Sequence, residues 1–211
     1  MVYRVTEARL QRDRVLRERI LDCALQQVAE AGFASLAMTS LARSAGVATG
    51  SLYRHFSGKD EIAREIFTRA TDLEVSQLRQ QLQAPGTAAE RLHRGIRTFA
   101  ARAWHSRQLA FALIAEPVPG EVDACRLHYR EIYAELFSQL LEQGNRDGSL
   151  QVGNIPLTAA CLVGATAEAL VGPLSPQAIK SRAEGDSAAD FEQVCSALLE
   201  FCLRAVAARL D

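Results

Sequence analysis

The sequence predicts an all-α fold, and three observations carry that prediction. Ala and Leu abound while aromatic residues make up only 6% of the 211 residues, a mix that favours helix over strand. Apolar residues recur at three- and four-residue spacing along most of the chain, and no period-two run persists. Glycine and proline then cut this pattern into helix-length pieces. With 48% hydrophobic and 23% charged residues the chain carries enough apolar surface for a real core, which excludes a disordered chain.

In chain order, the first helix is expected over about 7–31. Val15, Ile20, Leu21, Ala24, Leu25 and Val28 form its apolar positions, and Gly32 stops it. Two short helices follow, over 38–44 and 48–56, with Ala45-Gly46-Val47 turning between them. A long helix over 59–83 has Ile62, Ile66, Leu73 and Leu78 as its inner stripe and ends before Pro85-Gly86. Further helices are expected over 87–104, over 107–116 before Pro117, and over 121–143 before Gly144-Asn145. The stretch 157–171 is dense in small residues. The most membrane-like window, 155–174, holds Glu168 and two prolines, and reads as a buried helix and not a span. A last helix over 190–210 carries two apolar stripes. Phe191, Val194, Cys195, Leu198, Cys202 and Ala205 form one; Leu199, Leu203, Val206 and Leu210 form the other. Two stripes fit either burial against the body and a second partner surface, or a central core helix.

The net charge is −1, but its distribution is uneven. Residues 1–60 hold nine Lys or Arg against six Asp or Glu, and the remainder holds 15 against 19. A basic amino-terminal segment on an acidic body suggests that one end meets an anionic partner. The five cysteines, Cys23, Cys125, Cys161, Cys195 and Cys202, form no CxxC pair and none has a histidine at metal-ligand spacing. They read as reduced core thiols, with no metal and no cofactor expected. Residues 1–7 show no apolar leader, which points to a cytoplasmic location. No GxSxG, Walker loop, HExxH or dinucleotide fingerprint is present, and His55, His93, His105 and His128 are scattered, so an enzyme is not expected.

The informative stretch is Leu41-Ala42-Arg43-Ser44-Ala45-Gly46-Val47-Ala48-Thr49-Gly50-Ser51-Leu52-Tyr53-Arg54-His55-Phe56. Small Ala42 lets the second short helix approach the first, and Gly46 supplies a left-handed turn conformation. Val47, Leu52 and Phe56 are the inward anchors. Gly50 and Arg54 point away from Leu52, flanked by Ser51 and Tyr53. The outward face is therefore short, polar, aromatic and basic, a shape suited to the DNA major groove.

Residues 14–66 resemble the DNA-binding domain of the tetracycline-repressor (TetR) family of transcriptional regulators. The matching pieces are Ile20–Leu25, Ala31-Gly32-Phe33, Leu41-Ala42, Ala45-Gly46-Val47 and, most specifically, Gly50–Phe56 followed by Lys59-Asp60-Glu61-Ile62. The resemblance covers about a quarter of the chain. It implies a helix-turn-helix domain over 1–58 and a helical ligand-binding and dimerisation domain over 59–211. It also implies DNA contacts from Thr39, Thr49, Gly50, Ser51, Tyr53, His55 and Lys59, to which the outward face itself adds Arg54. One departure is Ala37, where many members cap the helix with Thr or Ser; Ser35 and Thr39 are the candidate substitutes.

The function expected is a repressor that binds a near-palindromic double-stranded DNA operator as a homodimer, with the helices near 157–171 and 190–210 forming the dimer. A small apolar effector is expected to release it. Phe99, Trp104, Phe111, Tyr129, Tyr133 and Phe137, with His105, Glu116 and His128 as polar contacts, are the candidate effector-binding residues. The alternative is a regulator governed by a protein partner or by no ligand. An apolar cavity in the carboxy-terminal body discriminates between them.

Overall fold

The computed structural model describes residues 7–181 and 187–207, and every regular element in it is a helix. The elements are α1 (Glu7–Ala31), a single 3-10 turn (Phe33–Ser35), α2 (Met38–Ser44), α3 (Thr49–Leu52) and α4 (Lys59–Leu82). The body follows with α5 (Ala88–His105), α6 (Arg107–Ile114), α7 (Gly120–Asp147), α8 (Ile155–Leu174), α9 (Pro176–Ser181) and α10 (Ser187–Ala205).

α1 buries Ile20, Leu21, Ala24 and Val28 on one stripe. Val15, expected among them, is 58% exposed because the first turns of α1 run out beyond the core. Arg17 lies across the junction with α4, pairing with Glu65 and stacking over the Phe56 ring at 4.7 Å. α4 is the long connector. Its amino end buries Ile62, Ala63 and Ile66, and its remainder buries Phe67, Ala70, Val75, Leu78 and Leu82. Leu73, placed by the sequence in the inner stripe, is 52% exposed, because the buried face passes through Ala70, Thr71 and Val75 instead.

α5 begins with a capping box, in which Thr87 accepts from the Glu90 N–H and Glu90 accepts from that of Thr87. Two further donors of this end reach the end of α7 and the loop after it: Ala88 N–H donates to Asp147 at 3.0 Å and Ala89 N–H to Ser149 at 3.2 Å. α7 does not stop at Gly144-Asn145. It continues to Asp147 and ends at Gly148, whose φ of 77° is left-handed. Gly144 is a helical residue kept small by a close approach, since a Cβ there would lie 2.3 Å from Leu150 Cδ1. α6 is also shorter than expected, because its end is drawn off by side-chain capping described below.

Three expectations for the last helices need correction. α8 is not a buried helix: only Ala159, Leu162, Thr166, Leu170 and Leu174 are buried. Leu157, Ala160, Cys161, Gly164, Glu168, Ala169 and Gly172 leave an exposed and mostly apolar face. Cys161 on that face is accordingly not a core thiol, Cys23 and Cys125 are half-buried, and Cys195 and Cys202 are buried. α10 carries one buried stripe and not two. Cys195, Leu198, Leu199, Cys202 and Val206 all face the body, at helical spacings of three and four, while Phe201 is 61% exposed. Leu210, assigned to the second stripe, lies outside the described residues, as does the amino-terminal segment 1–6.

Candidate nucleic-acid interface and apolar cavity

α2 and α3 are set by a small buried cluster of Leu41, Ala42, Ala45, Leu52 and Phe56. The turn between them closes with Val47 N–H donating to Ala42 O at 2.9 Å, and Gly46 takes φ 66°. Val47, expected as an anchor, is only half-buried. The second helix is shorter than the sequence suggests. α3 ends at Leu52, and Tyr53–His55 continue as a turn held by Arg54, His55 and Phe56 N–H groups.

This places the polar residues outward. Thr39, Gly50, Tyr53, Arg54 and Lys59 are exposed, and Thr49, Ser51 and His55 are half-buried. Tyr53, 56% exposed, is no core aromatic. Arg54 donates to Ser51 Oγ at 2.9 Å, which holds the guanidinium over the same face. A cap at Ala37 is indeed missing, and neither Ser35 nor Thr39 replaces it: Ser35 donates to Gly32 O and Thr39 stays outward. Gln27 of α1 holds this end instead, donating to Ser40 Oγ at 2.8 Å and Ser35 O at 3.2 Å.

The start of α4 is held by Glu61. It accepts from Ser57 N–H at 2.6 Å and Ser57 hydroxyl at 2.8 Å, and these bonds hold its pKa below the usual glutamate range. Lys59 is thereby presented beside the helix amino terminus, where backbone donors and a point charge favour an anion together.

The body holds a partly open cavity of about 500 Å³ between α4, α5, α6, α7 and α8. Its wall is apolar in the main, from Leu78, Ile96, Leu109, Leu113 and Val163 among others. Of the residues singled out from the sequence, Phe99, His105, Tyr129, Tyr133 and Phe137 line it. Four do not. Trp104 is buried behind the wall against Phe191, with ring centroids 5.7 Å apart. Phe111 packs into the core on another side of α6. His128 is on the exposed face of α7, 3.7 Å from Glu131. Glu116 turns away from the cavity to the amino-terminal domain.

Sequence reasoning found His105 but missed other polar groups of the wall, among them Arg102, Arg126, Arg130, Glu74 and Thr166. Arg102 and Glu74 form a two-point pair, both bonds 2.7 Å, which raises the arginine's pKa. Tyr129 donates to Asp72 at 2.6 Å, and burial with that carboxylate pushes its pKa up. Burial also pushes up the pKa of Tyr133. The buried Thr166 hydroxyl finds no hydrogen-bond partner among the described residues, its neighbour being the Cys202 thiol. These groups leave an apolar space with a few polar contacts in it, the composition of a small-molecule site.

Residues 20–66 match the family described as bacterial regulatory proteins, tetR family. The fatty acid metabolism regulator protein of Bacillus subtilis is 28% identical over 74 residues, which are 35% of this chain and 38% of that protein. The transcriptional repressor KstR2 of Mycobacterium tuberculosis is 26% identical over 136 residues, 61% of this chain and 68% of that one. The matched region thus spans little more than a third of the first relative's length. Among solved structures, reduced NemR of E. coli has a TM-score of 0.71 at 22% identity, covering 93% of this chain and 99% of that one. FadR of Bacillus subtilis, in complex with stearoyl-CoA, has a TM-score of 0.69 at 20% identity, covering 86% and 97%. At such identities the structures establish a shared fold.

Proposed function

Because the chain belongs to the TetR family of bacterial regulatory proteins, and is a regulator and not an enzyme, we propose that it is a ligand-released transcriptional repressor. One observation carries this reading. An outward polar face on α2 and α3 is joined through a single long helix, α4, to a body that holds an apolar cavity. In this reading residues 1–58 read DNA and residues 59–211 bind ligand and dimerise. Thr39, Thr49, Gly50, Ser51 and Tyr53 meet bases or nearby sugar-phosphate, while Tyr53, His55 and Lys59 hold phosphates and Arg54 stands on the same outward face.

The exposed face of α8, next to α10, supports homodimerisation. Leu157, Ala160, Cys161, Gly164 and Ala169 permit close helix approach, and Phe201 of α10 adds an exposed ring. α8 is long and apolar enough to cross a membrane, with a mean hydropathy of 1.6. Glu168 on its exposed face and its buried stripe against the body favour a partner surface over a lipid one. A two-fold dimer reads two half-sites, so the operator is near-palindromic. The cytoplasm, where the DNA is, is the expected location.

The cavity favours a small-molecule effector over control by a protein partner alone. Its size suits a chain-like or polycyclic apolar ligand. The stearoyl-CoA held by the structurally similar FadR makes long-chain acyl compounds the first class to try. Operator duplexes recovered by selection from a random pool, then titrated with and without such compounds, test the reading. A protein that selects no duplex sequence would refute the DNA-reading assignment.

A further inference from the structure

The cavity is joined to the DNA-reading domain by a second route besides α4. Arg126 of α7 stands in the cavity wall with its side chain 13% exposed. Its guanidinium donates from Nε to Leu113 O at 3.0 Å and from Nη2 to Ala112 O at 3.3 Å and Glu116 O at 2.9 Å. Nη1 donates to Asp123 at 3.1 Å. The first two are carbonyls that the end of α6 leaves without helical partners. Arg126 therefore fixes the path of residues 112–116.

Glu116, the residue so fixed, reaches into the amino-terminal domain. Its carboxylate accepts from Phe33 N–H and from Ala34 N–H, both at 2.8 Å. The turn is built around that carboxylate. Gly32 has φ 76°, and a Cβ there would lie 2.6 Å from Glu116 Oε2. Beside the contact lies a crevice of about 280 Å³ between the 3-10 turn, the start of α4 and Pro117–Pro119. From the turn, the bonds of Gln27 to Ser35 and Ser40 lead to the start of α2.

The charges of the cavity wall are unbalanced. Arg102 is matched by Glu74, the single carboxylate of the lining. Arg126 donates mostly to neutral carbonyls, and exposed Arg130 makes no hydrogen bond or ion pair among the described residues. Burial disfavours the charged form of Arg126, and the nearby Arg130 adds to this while Asp123 opposes it. An anion in the cavity relieves both penalties. An anionic oxygen competes with those carbonyls because it adds full charge–charge attraction and matches the planar guanidinium fork.

Resting on the reading of the cavity as an effector site, we propose that it takes an amphiphile with an anionic headgroup, and that this headgroup signals through Arg126. By drawing guanidinium donors from Ala112, Leu113 and Glu116 carbonyls, it frees the segment that carries Glu116. The 3-10 turn then loses its carboxylate, and α2 its set position.

The test uses the full chain, a selected operator duplex and three probes of one chain length: stearate, stearoyl-CoA and the neutral stearyl alcohol. Calorimetry without DNA gives probe affinity, and operator affinity is measured with and without saturating probe. In the parent, the anionic probes lower operator affinity by about 10-fold or more, within the usual range of allosteric coupling, and the alcohol by less than about 2-fold. Glu116→Gln binds stearate as the parent does, within about 2-fold, but has lower operator affinity before any probe is added and responds to stearate by less than about 2-fold. Arg126→Lys keeps the charge and loses the fork, so it binds stearate more weakly and, at saturating stearate, transmits less than the parent. Should Glu116→Gln lose helicity, Glu116→Asp is measured in its place with the same expectation. A Glu116 variant that responds to stearate as fully as the parent overturns the relay while leaving the cavity an effector site, as does an alcohol that releases DNA as well as stearate. A parent that binds no probe, or binds one without releasing DNA, overturns the effector reading and the relay with it.

Discussion

At the residue scale, the proposed DNA-reading face gives Tyr53 and Lys59 different work. Tyr53 stands exposed at the end of α3 and Lys59 at the start of α4. Tyr53→Ala is expected to weaken binding to a selected operator more than to random duplex. Lys59→Ala is expected to weaken both about equally and to reduce the salt slope by about one charge. Filter binding or anisotropy over a salt series separates the two. Gly32 takes a left-handed conformation and leaves room for the Glu116 carboxylate that Phe33 and Ala34 N–H hold, so Gly32→Ala adds strain of about 1–2 kcal/mol and displaces Glu116. Both the unfolding midpoint and operator affinity should fall. Asp147 supplies a pH-dependent contribution. Its bonds to the Ser149 hydroxyl and to the Ser149 and Ala88 N–H groups hold its pKa below the ordinary aspartate range. Because the folded pKa is depressed, the stabilisation is complete above the ordinary value and lost as pH falls through the folded one. Asp147→Asn should therefore flatten the decline in denaturant midpoint between about pH 5 and pH 2, and a variant with the parent's full decline contradicts this assignment. Gly32 was legible in the sequence as a helix stop. The carboxylate bound beside it, 83 residues from Phe33, was not, since nothing local to Glu116 signals it.

At the scale of the element, α8 and α10 show how far periodicity reaches. Spacing identified both as helices carrying apolar residues, but not which face meets the protein's own core. A stripe of small residues and a stripe of core residues have the same period. Leu199 and Val206 turned out to be inward, so Leu199→Glu is expected to unfold the body, with lost helicity and not merely a changed mass. Leu157→Glu and Phe201→Glu, at 61% exposure each, should leave helicity intact and shift the solution mass from dimer to monomer. Light scattering at micromolar concentration, read beside circular dichroism, checks all three. The stop of α7 was misplaced for a similar reason. Gly144 and Gly148 both look like terminators, and only the approach of Leu150 shows that the first is a packing glycine.

At the scale of the whole molecule, the proposed dimer sets two copies of α3 at a fixed separation. Selected operators should then carry two related half-sites with centres about 34–36 Å apart or a multiple of it. Monomeric Leu157→Glu should bind a single half-site and lose most of its preference for the full operator. Composition and helical period alone determined the all-α class, and the dense local motif from Leu41 to Ile62 made the helix-turn-helix legible, because its turn and anchors lie within a few residues of one another. The aromatic half of the cavity, Phe99, Tyr129, Tyr133 and Phe137, could be read for the same kind of reason: large rings on core helices must face one another somewhere. Only the tertiary structure decided that Trp104 stands behind that wall, that Arg102 is neutralised by Glu74 whereas Arg130 has no such partner among the described residues, and that Glu116 crosses to the 3-10 turn after α1. Those outcomes depend on contacts between side chains far apart in the chain, settled by how helices pack and which charges burial brings together, and no local spacing encodes them.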